Sequence, residues 1–122
     1  MTKPQVLSEE LLAALHEAVS PGSTITTLAN SKPNFIAGIS KEGVLIETQR
    51  SRQMGLPAQL VPAWMLEAAW RHLRRHRLLK QTELLAGDGL KVKRSAAVMA
   101  LLARLPGIEV ASVRPNALRL KP

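Results

Sequence analysis

Turn-forming residues divide this chain into short segments, and that division limits the fold more than any other feature of the sequence. Glycine, proline, asparagine and serine favour turns because they accept backbone geometries that other residues resist. They cluster at six places, namely residues 20–22, 30–33, 40–43, 87–89, 106–107 and 114–116. No run of about 18 apolar residues lies between these turns, so we expect no membrane-spanning helix.

The first half of the chain predicts one helix followed by short strands. Ser8 is a candidate N-cap for a helix over residues 8–19. Glu9 and Glu10 then lie in the first turn, where the helix dipole favours acidic side chains. Three segments of β-forming composition follow, at 24–28, 35–39 and 44–48. We therefore expect an N-terminal helix and a small antiparallel β-meander.

The second half of the chain predicts three helices and a terminal hairpin. Residues 51–60 are basic and lack a periodic pattern, which predicts a flexible connector. Ser95 is a candidate N-cap of the last helix. The expected elements are helices over 62–76, 81–86 and 94–105, a short link at 77–79, and strands over 107–113 and 117–121.

The 122 residues are long enough for about one compact domain with a small addition. We predict an α+β fold in which residues 1–50 form the helix and meander. A basic linker over 51–60 is expected to join this part to a C-terminal domain over 61–122.

The order of elements in the second half resembles that of a winged helix-turn-helix domain. The resemblance covers about 60 residues, from 61 to 121, and is carried by WMLEAAWRHL, LLKQTELLAG, KRSAAVMALLARLPG and IEVASVRPNALRLK. It implies that the third helix lies in the major groove of DNA, with its first residues near bases and phosphates. It also implies that the terminal hairpin, the wing, lies along the backbone or the minor groove.

Charge is distributed unevenly along the chain, and this asymmetry favours a polyanionic partner. The net charge is +8, yet residues 1–49 hold three lysines and arginines against five acids. Residues 50–122 hold fourteen against four. Solubility alone would explain a high charge but does not require this segregation, so nucleic acid is the expected partner.

Positive charge at the start of the third helix also favours an anionic partner. Lys91, Lys93 and Arg94 lie where the helix dipole disfavours cations, and a bound phosphate would offset that repulsion. Val98, Leu101, Leu102 and Leu105 predict the core face of this helix. The opposite face would then carry Lys93, Ala96 or Ala97, Ala100 and Arg104. Alanine donates no hydrogen bond to a base, so we expect phosphate contacts to dominate.

The candidate DNA-binding residues follow from this arrangement. They are Lys80, Gln81, Lys91, Lys93, Arg94, Ser95, Ala97, Arg104, Arg114 and Arg119. A secondary set of basic residues comprises Arg50, Arg52, Arg71, Arg74, Arg75 and Arg77.

Catalytic and metal chemistry find little support in the sequence. The chain has no cysteine, which excludes disulfides, thiolate zinc sites and a cysteine nucleophile. His72 and His76 share a helix face, but Arg74 and Arg75 between them would repel a metal ion. The acidic residues are scattered, so no nuclease-like cluster is predicted. We therefore expect no enzymatic activity, no cofactor and no metal.

The sequence thus predicts a non-enzymatic protein that binds double-stranded DNA, as a small transcriptional regulator or an accessory factor. The N-terminal region is the candidate interface of a homodimer. The segment MTKPQVLSEE lacks the apolar stretch of a signal peptide, which favours a cytoplasmic location. Three alternatives stay open: a protein-interaction adaptor, a DNA-targeting subunit of a nuclease or restriction complex with a separate catalytic chain, and an enzyme in its own right.

Overall fold

Helices and antiparallel strands alternate along the chain, which gives the α+β fold that the sequence predicts. The computed structural model describes residues 5–28, 32–85, 94–114 and 116–121. Within these residues there are five helices and seven strands, and the strands form one four-stranded and one three-stranded sheet. No helix of the described residues is long and apolar enough to cross a bilayer.

The first helix, α1, spans Glu9–Ala18 and begins where the sequence predicts. The Ser8 hydroxyl accepts a hydrogen bond from the Leu11 N–H at 3.3 Å, which satisfies one of the free donors at the helix start. Leu11 and Leu15, one turn apart, are fully buried. The predicted N-cap is therefore confirmed, and the helix packs on the core through these two leucines.

The meander has four strands, whereas the sequence predicts two or three. Sheet A has the order β1-β2-β3-β4, in which all neighbours are antiparallel. Its strands are β1 (Thr24–Thr26), β2 (Pro33–Ser40), β3 (Gly43–Thr48) and β4 (Gln59–Pro62). The predicted hairpin turn at 40–43 is confirmed, since Ser40 lies opposite Gly43.

The expectation of a flexible connector over 51–60 is wrong, because part of this segment is regular structure. Helix α2 spans Gln49–Gln53 and starts with a capping box. The Thr48 hydroxyl accepts from the Ser51 N–H at 3.0 Å, and the Ser51 hydroxyl accepts from the Thr48 N–H at 2.9 Å. Strand β4 then pairs with β3, so the segment is tied to sheet A at both ends.

Gly43 allows β3 and β4 to approach closely at the hairpin turn. Its φ of 140° lies in the region that side chains rarely adopt. A Cβ built on Gly43 would lie 2.1 Å from the Val61 carbonyl oxygen. This position therefore requires glycine.

The second half of the chain has the predicted helices and an extra strand. Residues 77–79, predicted as a link, largely belong to a strand that pairs with the last strand of the chain. Sheet B therefore has three strands in the order β5-β7-β6. The elements are α3 (Ala63–His76), β5 (Leu78–Lys80), α4 (Gln81–Leu85), α5 (Ser95–Leu102), β6 (Ile108–Val113) and β7 (Asn116–Leu120).

Helix α5 is largely buried, and the exposed face predicted opposite its core face is only partly correct, because Ala96 and Arg104 are exposed whereas Ala97 and Ala100 are not. Val98, Leu101 and Leu102 are fully buried, as predicted. Ala97 and Ala100, expected on the outer face, are only 7% and 2% exposed. The cause is sheet A, because α5 contacts β1 as well as α3, α4 and β7.

A single hydrophobic cluster runs through both halves of the chain. Leu15 of α1 and Ile36 of β2 belong to it together with Leu66 of α3, Leu101 of α5 and Leu118 of β7. Residues on either side of the predicted linker therefore contribute to the same core.

Candidate nucleic-acid interface

The side-chain amide of Gln81 joins the starts of three elements. Its Nε2 donates to the Ser95 hydroxyl at 3.0 Å, and its Oε1 accepts from Asn116 Nδ2 at 2.5 Å. Gln81 is the first residue of α4, Ser95 the first of α5 and Asn116 the first of β7. These hydrogen bonds hold two helix starts and the hairpin turn at one end of the molecule.

A cation adjoins each of these three elements in the chain. Lys80 precedes Gln81, Arg94 precedes Ser95, and Arg114 lies in the hairpin turn before Asn116. Lys80 and Arg114 are exposed and Arg94 is half-buried. We call this surface the basic end and define it as Lys80, Gln81, Arg94, Ser95, Arg114 and Asn116.

The basic end contains five of the predicted DNA-binding residues, but two of them have structural roles. Ser95 is 5% exposed and accepts from Gln81, so both side chains already hydrogen-bond within the protein. The prediction that Ser95 is the N-cap of α5 is also wrong. Arg94 occupies that position and makes no side-chain cap hydrogen bond. Lys91 and Lys93 lie outside the described residues.

Glu83 fixes the backbone beside Lys80. Its Oε1 accepts from the Lys80 N–H at 2.8 Å, and its Oε2 is 3.0 Å from His72 Nε2. Burial raises the pKa of the Glu83 carboxyl, but the Lys80 N–H bond and the neighbouring His72 lower it by more. The net pKa is below the ordinary value, so the carboxylate and its bond to the α4 start persist into mildly acidic solution.

Three other predicted contacts are turned away from the basic end. Ala97 is buried against sheet A and cannot reach a base, which corrects that prediction. The Arg104 guanidinium donates to the Thr24 carbonyl of β1 at 3.2 Å. Arg119 is paired with Glu109 across sheet B. Neither arginine is brought together with Arg94 or Lys80.

Two of the secondary basic residues of α3, Arg71 and Arg74, have acidic partners within the chain. Arg71 Nε is 3.4 Å from Glu67 Oε2. Arg74 Nη1 donates to Glu10 Oε2 at 3.0 Å, and its guanidinium lies 4.6 Å from the Trp70 ring centre. These arginines therefore have partners within the chain.

The remaining secondary residues are exposed, and most have no acidic partner. Arg52 stacks on Phe35, with 3.7 Å to the ring centre, and forms a 3.8 Å ion pair with Glu47. Arg50, Arg75 and Arg77 form no ion pair within the part of the chain that the structure describes. They are available for contacts with an anion.

A cleft of about 900 Å³ opens on the other side of Arg94, between sheet A and the start of α5. Lys32 and Arg50 line it together with Arg94, whose guanidinium donates to Gln59 Oε1 at 2.5 Å. No aspartate or glutamate is among the described residues that line it. Asn34 on β2 lies at its inner wall.

Sequence reasoning missed the cleft, because its walls come from β2, β3, α2 and α5 together. One signal was available. Asn34 and Ile36 share the inward face of β2, where an alternating strand should carry apolar side chains. A polar residue on a core-facing position is the observation that points to a site.

The described residues contain no group of three or more side chains that could hold a metal ion. The two histidines of α3, His72 and His76, lie with their rings 4.5 Å apart. His72 is in addition engaged by Glu83, at 3.0 Å.

Comparisons with known proteins give no match. A scan against protein-family models matches no family, and searches of curated proteins and of solved structures find no similar protein. The basic end and the cleft are therefore the basis on which a function is proposed.

Proposed function

We propose that this protein binds double-stranded DNA through the basic end, without enzymatic activity, as a small transcriptional regulator or accessory factor. The proposal takes the second half of the chain as a winged helix-turn-helix domain. It is supported by the order α3, β5, α4, α5 and a β6-β7 hairpin, in which β5 joins the hairpin. This is the order of elements for which the sequence resembles that family.

The observation that carries the proposal is the pair of hydrogen bonds made by Gln81. They hold the starts of α4, α5 and β7 together, and each start adjoins a cation. Contacts between such cations and phosphates position a protein on duplex DNA and supply most of its non-specific affinity. In this geometry Lys80 and Arg114 contact the phosphates on either side of Arg94.

Helix α5 takes part through its first turn. Ala96 is the exposed residue of this otherwise buried helix, so α5 cannot lie lengthwise in a groove. Its N–H groups and the side chain of Arg94 approach a phosphate instead. We therefore propose weak sequence discrimination by a single chain, since no side chain of the α5 surface can read a base edge.

A second candidate function is a protein-interaction module, and the outer face of sheet A favours it. Leu45 and Leu60 lie opposite each other on β3 and β4, and are 40% and 38% exposed. Neighbouring apolar side chains on an exposed face are typical of contact surfaces. The same face is our candidate for the contact in a homodimer, which would pair two basic ends on DNA.

The test compares two pairs of cations that carry the same charge. Lys80→Gln with Arg114→Gln removes two cations from the basic end. Arg75→Gln with Lys121→Gln removes two cations outside the basic end, one from the last turn of α3 and one that follows the last residue of β7. Affinity for a random 20-base-pair duplex is measured at two salt concentrations.

We expect the first double variant to bind all duplex sequences more weakly. The slope of log affinity against log salt should fall by about 0.9 for each phosphate contact that is lost. The control pair should keep most of this slope. If both pairs lose affinity equally, the binding reflects total charge, and the basic end is not the interface.

A further inference from the structure

We infer that the cleft between sheet A and the start of α5 is a binding site for a nucleotide, with the phosphate at α5 and the base at β2. The site lies beside the basic end and shares Arg94 and the start of α5 with it. It is tested separately from duplex binding, because Lys32, Asn34 and Arg50 of the cleft lie outside the basic end.

Charge favours a phosphorylated ligand. Lys32, Arg50 and Arg94 all line the cleft, and the described lining contains no carboxylate. Lys32 and Arg50 form no ion pair with any described residue. Cations that line one cleft without acidic partners repel one another, and a bound phosphate would offset that repulsion.

The start of α5 provides backbone donors in the same place. Ala96 and Ala97, in the first turn, line the cleft. The N-cap residue Arg94 makes no side-chain hydrogen bond to this turn. The first N–H groups of a helix have no acceptor within the helix, so they are free to bind phosphate oxygens.

Asn34 is the independent observation that points to a ligand. Its side chain is on the inner face of β2, the residue is only 6% exposed, and it lines the cleft. The described residues give its amide no hydrogen-bond partner. An amide that lines a cleft offers both donors and an acceptor to a base edge.

The size of the cleft favours a nucleotide over inorganic phosphate. Pockets for small organic ligands have volumes of roughly 300–1,000 Å³, and this cleft measures about 900 Å³. Thr48 and Gln49 add polar groups to the wall, and Ile46 and Leu56 add apolar surface for a ring. The nucleotide is either a free monophosphate or one unit of a nucleic-acid strand, and the experiment separates these two sources.

The first measurement uses the full chain and three kinds of probe. Inorganic phosphate, the four nucleoside 5′-monophosphates and a single-stranded tetranucleotide are titrated by calorimetry. We expect at least one monophosphate to bind about tenfold more tightly than inorganic phosphate, because the base adds contacts at Asn34. If the tetranucleotide binds and the monophosphates bind no better than phosphate, the source is a strand and the site still recognises a nucleotide.

Substitutions test whether the ligand binds in the cleft. Arg50→Gln should weaken monophosphate binding about tenfold, because it removes a charge-assisted contact. Arg75→Gln, which removes an equally exposed cation at the far end of α3, should change it by less than about twofold. Lys80→Gln with Arg114→Gln should leave monophosphate binding unchanged, so failure here is distinct from failure of the duplex proposal.

Two substitutions of Asn34 distinguish the contribution of the phosphate to binding from that of the base. Asn34→Asp keeps the shape and adds a negative charge, so it should weaken phosphate and monophosphate alike. Asn34→Ala should abolish differences among the four bases and leave inorganic phosphate binding intact. Circular dichroism checks that both variants are folded. Equal effects of Arg50→Gln and Arg75→Gln, or no probe binding more tightly than inorganic phosphate, would overturn the inference.

Discussion

At the scale of single residues, Glu67 connects helix α3 to the start of α1. Glu67 is on α3 and is only 1% exposed, and its carboxylate stabilises the start of α1. Oε1 accepts from the Ser8 N–H at 2.6 Å, and Oε2 lies 3.4 Å from Arg71. In the sequence Glu67 is one of several scattered acids, because nothing local indicates that its partner lies 59 residues away.

We expect Glu67→Ala to lower the free energy of unfolding by roughly 2–4 kcal/mol. The substitution leaves the Ser8 N–H without an acceptor and Arg71 without its partner, and it also removes packed methylene groups. Urea denaturation followed by circular dichroism measures the change.

Glu10→Ala is the matched control for this measurement. Glu10 pairs with Arg74 at 3.0 Å, but both side chains are at least half exposed. Its loss should change stability by less than about 1 kcal/mol. Equal losses for the two variants would show that the buried carboxylate has no special role.

At the scale of elements, α5 connects the two sheets, because it packs against β1 of sheet A and β7 of sheet B. The helix is apolar on every side, and such helices are buried rather than displayed. It packs on α3 and on β1, so sheet A covers the face that a free recognition helix would show to DNA.

Lysine substitutions on α5 test this burial directly. Ala100→Lys places a charge at a position that is 2% exposed, and we expect it to destabilise the fold by roughly 3–5 kcal/mol. Ala96→Lys adds the same side chain to the exposed position of the same helix and should stay within about 0.5 kcal/mol. If thermal unfolding shows equal stability for both, the face of α5 that carries Ala100 is open to solvent.

Local signals explain which elements the sequence predicts correctly. The Ser8 cap, the turn at 40–43 and the terminal hairpin each depend on neighbouring residues. Strand β5 was missed because its three residues are extended only through pairing with β7, where Leu79 faces Leu118 across 39 positions. The covered face of α5 was missed for the same reason, since β1 lies about 70 residues earlier in the chain.

The same distinction applies to the candidate site. Lys80, Gln81, Arg94, Ser95 and Arg114 were identified from the resemblance, and the structure brings them to one end. The cleft was missed, because Asn34 meets the start of α5 only after sheet A has formed. Sequence reasoning therefore identified the side chains that adjoin one another in the second half, and it missed contacts between the halves.

At the scale of the whole molecule, one core replaces the two units that the sequence predicts. Ile36 of sheet A and Leu101 of α5 are buried in the same cluster. Strand β4 also pairs with β3 and leads directly into α3, so there is no unstructured boundary between the halves. The second half therefore depends on sheet A to cover α5.

We expect a fragment of residues 61–122 to lack a cooperative unfolding transition. Without sheet A, the face of α5 at Ala97 and Ala100 would be exposed to water, and a domain of about 60 residues is marginal even with an intact core. Thermal unfolding of the fragment and the full chain, followed by circular dichroism and near-ultraviolet fluorescence of tryptophan, measures this. A sharp transition in the fragment would show that residues 61–122 fold independently, as the sequence predicts.

The close approach at Gly43 also sets a rule for recognising relatives of this chain. A methyl group there would collide with the Val61 carbonyl, so no other amino acid preserves the β3–β4 pairing. Gly22 and Gly55 also have positive φ but open space around them, so a side chain there would strain the backbone without a collision. A distant homologue that keeps this sheet would therefore retain glycine at the position of Gly43 through evolution, even where most of its sequence has diverged.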